Sequence, residues 1–136
     1  MEEITVKSKL NEIESLKEYR GLLLYRSEVN GKPSETYSLE GLQQGISAWN
    51  AESALAGLKR LQELSAKQQV LYSVYTDEEC QDDEQKKNVK VMHFPSLEDK
   101  KAPFLFVIAG GAYCSVCSAV ESIPTAVHFN KLGYHV

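Results

Sequence analysis

A chain of 136 residues with 43% apolar and 25% charged side chains has the composition of an ordinary folded domain, which excludes disorder of the whole. Its formal net charge of -4 leaves no basic stripe to neutralise phosphates, so neither nucleic acid nor an anionic membrane is expected as its main partner. The start, MEEITVKSKL, has no basic leader followed by an apolar core, and no apolar run approaches bilayer length; a cytoplasmic location is expected.

From Leu10 the spacing of Leu10, Ile13 and Leu16 predicts one amphipathic helix ending near Tyr19, with Gly21 interrupting it. Asn30-Gly31-Lys32-Pro33 is turn chemistry: the Asn-Gly pair tolerates φ > 0, and Pro33 blocks regular continuation. Ser38 is placed to cap a helix through Leu39, Leu42 and Ile46. Asn50 is placed to cap a second, in which Leu55, Leu58, Leu61 and Leu64 recur every three residues. The two helices are expected to meet around Trp49, and their leucine stripe is a packing face. Together residues 1–67 form a helical N-terminal segment, and residues 68–136 a second unit.

The second unit opens with VLYSVYT, rich in β-branched and aromatic residues and therefore a strand. The charged stretch 77–88 follows as a solvated loop, its carboxylates lacking the regular spacing of a calcium site. VKVMHF then alternates as a strand paired with the first, and Pro95 ends it. The chain turns next on APFLFVIAGGAY, where residues 104–108 are apolar without alternation. Such a run predicts an inner strand of a parallel sheet, covered on both faces. Gly110 and Gly111 end it in a turn whose backbone can approach another molecule closely. After that, Ser122-Ile123-Pro124 reads as a helix start with Ser122 as cap, Ile123, Ala126, Val127 and Asn130 share one face, and Gly133 is the C-terminal stop. Tyr134-His135-Val136 has the look of a further strand beginning.

Two strands across a polar loop, then strand, glycine turn, aromatic residue, helix, Gly-Tyr and strand onset: this order over residues 70–136 resembles the N-terminal part of the α/β-hydrolase fold, in particular the bacterial esterase and lipase-like families. The residues matching their HGGG or HGGxW/Y motif are Ala109, Gly110, Gly111, Ala112 and Tyr113. The resemblance implies an α/β protein whose glycine turn (Gly110, Gly111, Ala112) contributes backbone donors to an oxyanion hole, with Gly111 and Ala112 the donors by register. It further implies a small-molecule ester substrate for the parent protein and no metal or organic cofactor. The family's turn histidine is replaced here by Ala109. No GxSxG elbow exists; Gly45-Ile46-Ser47-Ala48-Trp49 comes nearest but lacks the final glycine and falls in a helix. None of His93, His128 and His135 is placed to serve as a triad base. By resemblance, then, this is the first part of a serine hydrolase with nucleophile, acid and base missing, expected to be inactive alone. Its unfinished sheet would expose an unpaired edge and favour self-association.

Other readings of the same residues stay open. A glycine turn is also what close packing of strand on helix requires. Cys114-Ser115-Val116-Cys117 is a CxxC following an apolar strand, as in thioredoxin-like redox proteins, where a helix N-terminus stabilises the thiolate. With Cys80 and a histidine the same pair could be part of a zinc site, although three cysteines without an export signal are expected as reduced thiols. Finally, the helices between Ser38 and Ala66 could form a protein-interaction module supported by the sheet.

Overall fold

The computed structural model describes residues 2–98 and 100–136. Leu10, Ile13, Leu16 and Tyr19 are all buried, but the segment carrying them is two short 3₁₀ helices, Leu10–Glu12 and Glu14–Tyr19, instead of one α-helix. The interval explains the difference: apolar residues every third position share a face in a helix of three residues per turn, whereas in an α-helix they would drift round it. The break falls at Ile13, which is extended, and the Glu2 carboxylate accepts the N–H groups of Glu14 and Ser15 at 3.2 and 2.8 Å.

The Asn-Gly turn closes a small hairpin between β1 (Glu28–Val29) and β2 (Lys32–Pro33). Asn30 and Gly31 take φ of 51° and 71°, as a two-residue turn matched to strand twist requires. Helix α1 (Leu39–Gly45) is capped by Ser38, whose Oγ accepts the Gly41 N–H at 3.1 Å. Helix α2 (Ala51–Ser65) is capped by Asn50, whose Oδ1 accepts the Ser53 N–H at 2.8 Å. Its buried face is Ala51, Ala54, Gly57, Leu58, Leu61, Gln62 and Leu64. Tyr19 is fully buried against it, and Ser65 Oγ donates to Leu61 O, so the Tyr19 hydroxyl donates to Ser65 Oγ at 2.6 Å. Residues of both the N-terminal segment and the later unit, from Ile4 to Val127, belong to one hydrophobic cluster.

The strands β3 (Leu71–Ser73) and β4 (Lys90–Met92) pair antiparallel with Tyr72 opposite Val91. The loop between them is largely exposed, apart from Cys80, and contains a 3₁₀ turn at Glu84–Asn88. Helix α3 (Ser122–Lys131) lies against α2, where Gly57 allows the approach: a Cβ there would sit 2.7 Å from Ile123 Cγ2. Ser122 is the first helical residue and not the cap; its Oγ donates back to Ser118 O at 3.4 Å, and Glu121 holds the cap position without a side-chain bond to the helix. The other end is a Schellman close. Gly133, with φ of 92°, donates to Asn130 O, and Tyr134 donates to Phe129 O.

The largest departure concerns residues 104–108. Phe104 bridges His135 in parallel, but residues 105–108 belong to no strand, and Phe104, Phe106 and Ile108 are 73%, 74% and 79% exposed while Leu105 and Val107 are half-buried. The segment therefore has one covered face and one open face, because nothing among the described residues packs on the second. A run of five apolar residues states that both faces can be buried, not that both are. The overall structure mixes helices with two 2-stranded antiparallel sheets, so the coarse α/β class holds. Among the described residues no helix is long and apolar enough to cross a membrane.

Candidate functional site

The segment 104–109 delivers the chain to Gly110, where the backbone must pass a carboxylate. The Gly110 N–H donates to Glu121 Oε2 at 2.8 Å, and a Cβ on Gly110 would lie 2.6 Å from that oxygen. Glu121 Oε1 also accepts the indole N–H of Trp49 at 3.4 Å, so the junction of α1 and α2 is tied to the turn. Gly111 follows with φ of 146°, and a Cβ there would overlap the carbonyl of Ser115. Ala112 and Tyr113 then take φ of 53° and 61°, and Gly111 O accepts the N–H groups of Cys114 and Ser115 at 2.9 and 3.0 Å. Two successive residues in the left-handed region, closed by an i to i+3 bond, make a type I′ turn. For an alanine and a tyrosine that conformation is sparsely populated, and the surrounding bonds have to impose it.

Of the turn's amides, that of Gly110 is bonded to Glu121 and supports the turn, while the donors expected by register are those of Gly111 and Ala112. The N–H groups of Gly111, Ala112 and Tyr113 make no hydrogen bond among the described residues. Ala112 and Tyr113 are exposed and Gly111 is half-buried. The turn also stands at the end of a groove of about 750 Å³ that runs between β4 and residues 106–109, floored by Ile123 and Ala126 of α3 and closed at one end by Val136.

The cysteines are free thiols, Cys80 and Cys117 buried and Cys114 exposed. Cys117 Sγ lies 3.9 Å from Ser27 Oγ, and α3 begins only at Ser122. A helix N-terminus is therefore not presented to either thiol of the CxxC, which removes the feature that activates such a motif. Among the described residues no group of three or more His, Cys, Asp and Glu could hold a metal ion. Ser47 lies just beyond α1, remote in sequence from any strand-to-helix elbow.

The three histidines separate into one exposed residue and a pair. His128 is exposed on α3 and meets Phe129 edge-on at 5.4 Å. His93 and His135, 42 positions apart, stack with Phe104 at centroid distances of 4.7 to 5.6 Å. His135 Nδ1 accepts the Ser96 N–H at 3.1 Å, so its proton is on Nε2, facing Lys100 O at 3.3 Å, and His93 Nε2 donates to the same Nδ1 at 3.3 Å. Among the described residues neither ring makes a hydrogen bond to a serine hydroxyl; the pair joins the end of β4 to the C-terminal residues.

Burial, and then the neighbouring His135, hold the His93 imidazole below its ordinary value of 6.5. Between the folded and unfolded pKa values the unfolded chain binds more protons, so this contribution to stability is complete above pH 6.5 and is lost as the pH falls through the folded value. The urea midpoint should accordingly drop more steeply between pH 7.5 and 5.5 in the natural chain than in His93→Phe. Parallel pH profiles for the two would show that His93 carries no such linkage.

Sequence reasoning placed the glycine turn but missed the residues that hold it. Glu121 stands just before a helix start, and nothing local indicates that its carboxylate bonds Gly110 and Trp49. The His93, Phe104 and His135 stack has no local signal either, since its members meet only through strand pairing. Comparison of the chain with protein-family models, with curated proteins and with solved structures gave no match.

Proposed function

We propose that this chain carries the oxyanion-binding portion of a serine carboxylic ester hydrolase of the α/β-hydrolase type, without the nucleophile, acid and base, and that it does not turn over esters by itself. The observation that carries the reading is the pair of unbonded N–H groups of Gly111 and Ala112 in a left-handed turn directly after the apolar segment 104–108. Two fixed amide donors of this kind, held before any substrate arrives, stabilise charge that develops on a carbonyl oxygen during acyl transfer, and they need no reorganisation to do so. Supporting it, residues 104 and 135 run parallel on either side of the turn and α3. That is the strand, turn, helix, strand unit such a sheet is built from.

The Trp49 to Glu121 bond favours this reading over a separate helical interaction module, because it makes the N-terminal helices part of the turn's support. Glu121 also introduces an electrostatic cost. Its carboxylate beside Gly110 opposes negative charge at the turn, so the two free donors have to act against it.

A tetrahedral oxyanion mimic tests the assignment without needing a nucleophile. On titration with butylphosphonate, the backbone amide resonances of Gly111 and Ala112 should move together along one saturation curve, and more steeply in Glu121→Gln. The unmodified chain should hydrolyse p-nitrophenyl butyrate no faster than buffer. Shifts confined to other amides, or none up to the solubility limit, would remove the oxyanion role; ester turnover would show that the missing side chains are present in another guise.

A further inference from the structure

The amides of Gly111 and Ala112 are aimed by what lies on the other side of their peptide planes. A trans peptide points its N–H opposite to its C=O. Gly110 O accepts the Cys117 N–H at 3.1 Å, so the Gly111 N–H in the same plane is turned away from Cys117. Gly111 O accepts from Cys114 and Ser115, which turns the Ala112 N–H away from them in the same manner. The weak point of this arrangement is Gly110. A residue without Cβ has the widest range of φ and ψ, and rotation there would swing the next plane, carrying the Gly111 N–H with it.

Glu121 closes that freedom. Its Oε2 accepts the Gly110 N–H at 2.8 Å, so both backbone groups of Gly110 are bonded. The backbone of Glu121 is fixed as well: its N–H donates to Cys117 O at 3.1 Å, and its O accepts the N–H and the hydroxyl of Thr125 at 3.2 and 2.8 Å. Gly110, Cys117 and Glu121 are thereby joined in a closed ring of three hydrogen bonds. Although Glu121 holds the cap position of α3, its side chain makes no bond to that helix. Its other oxygen, Oε1, accepts the indole N–H of Trp49, a residue only 8% exposed. Two donors from distant parts of the chain converge on one side chain, and a carboxylate offers each of them an acceptor.

We propose that Glu121 is the positioning residue of the oxyanion-binding turn: it locks the Gly110 hinge, and so the direction of the Gly111 and Ala112 amides, while Trp49 holds its carboxylate in place. This rests on the oxyanion reading of those two amides. Glu121 acts through them and not on the ligand. Its charge and its acceptor oxygens work in opposite senses on a bound anion, since the charge repels it and the oxygens keep the donors aimed at it. Substitutions at this one position separate the two effects.

Glu121→Gln and Glu121→Met both remove the charge and keep the length, but only glutamine keeps an oxygen. That oxygen goes to Gly110, whose bond is the shorter, 2.8 against 3.4 Å, and Trp49 is left unpaired. In titrations of the whole chain with butylphosphonate, followed at the Gly111 and Ala112 amides, Glu121→Met should bind about tenfold more weakly than Glu121→Gln. Without ligand, hydrogen exchange at the Gly110 amide should be fast in Glu121→Met and stay slow in Glu121→Gln. The indole N–H resonance of Trp49, the single tryptophan, should move in both. Equal affinity in the two variants, each shown to be folded by slow exchange in α2, would overturn the positioning role and leave the oxyanion reading standing. Unmoved Gly111 and Ala112 amides in the natural chain would overturn that reading and the positioning role with it. If Glu121→Met does not fold, Glu121→Asp takes its place. Aspartate keeps the charge and both acceptors but withdraws them by about 1.5 Å, one carbon–carbon bond. It should bind more weakly than the natural chain, and equal binding would overturn the role.

Discussion

Gly111→Ala should lower the stability of the fold by about 3 kcal/mol, far more than the same substitution at Gly31. The two glycines separate the causes of the loss. Both have positive φ, 146° at Gly111 and 71° at Gly31, but a Cβ on Gly31 would meet nothing within 4 Å, while one on Gly111 would overlap Ser115 O. Gly31→Ala therefore reports backbone strain alone, roughly 1 kcal/mol for an alanine in the left-handed region. Gly111→Ala adds displacement of a carbonyl within a turn already closed by the Cys114 and Ser115 amides. Relief requires the turn to open, so the amide resonances of Ala112 and Tyr113 should move as well. Equal urea midpoints for the two variants would show that the turn yields freely and is not held in the shape on which the proposed oxyanion binding depends.

Asn130→Leu should cost about 2–4 kcal/mol, although it keeps the side chain's size in the core. Asn130 is 2% exposed on the apolar face of α3, and its Nδ2 donates to Pro95 O at 2.6 Å, Tyr134 O at 3.1 Å and Phe94 O at 3.4 Å. Phe94 O keeps a second partner in the Val136 N–H, but Pro95 and Tyr134 have no other donor among the described residues. One amide thus ties α3 to the end of β4 and to the C-terminal residues, the three parts that frame the groove. Asn130→Asp should be at least as harmful near neutral pH, since a carboxylate faces carbonyl oxygens, and should partly recover in acid, when the protonated form donates again. Chemical denaturation of the three proteins checks this, and a loss below about 0.5 kcal/mol for Asn130→Leu, the range of an ordinary surface change, would remove Asn130 from that role.

Local structure was legible wherever a residue acts on its own neighbours. Ser38 and Asn50 cap α1 and α2, Asn30-Gly31 makes the hairpin turn, and Gly133 closes α3, each through bonds spanning a few positions. Ser122 was misread because its hydroxyl has two local partners within reach and takes the carbonyl of Ser118 behind it. The helix expected up to Tyr19 divides because apolar residues at intervals of three satisfy either helical form, and Ile13 and the distant Glu2 decide between them.

The amino-acid order alone determined the positions of the elements, the Gly110-Gly111 turn and the absence of a GxSxG nucleophile. Only the tertiary structure decided which amides of that turn are free, because Gly110 is bonded to a carboxylate eleven positions away. It alone decided that residues 104–108 keep an open face and that His93 meets His135. The reason is common to all three: hydrophobic pattern and local hydrogen bonding specify what a segment is able to cover, whereas coverage itself depends on partners distant in the chain.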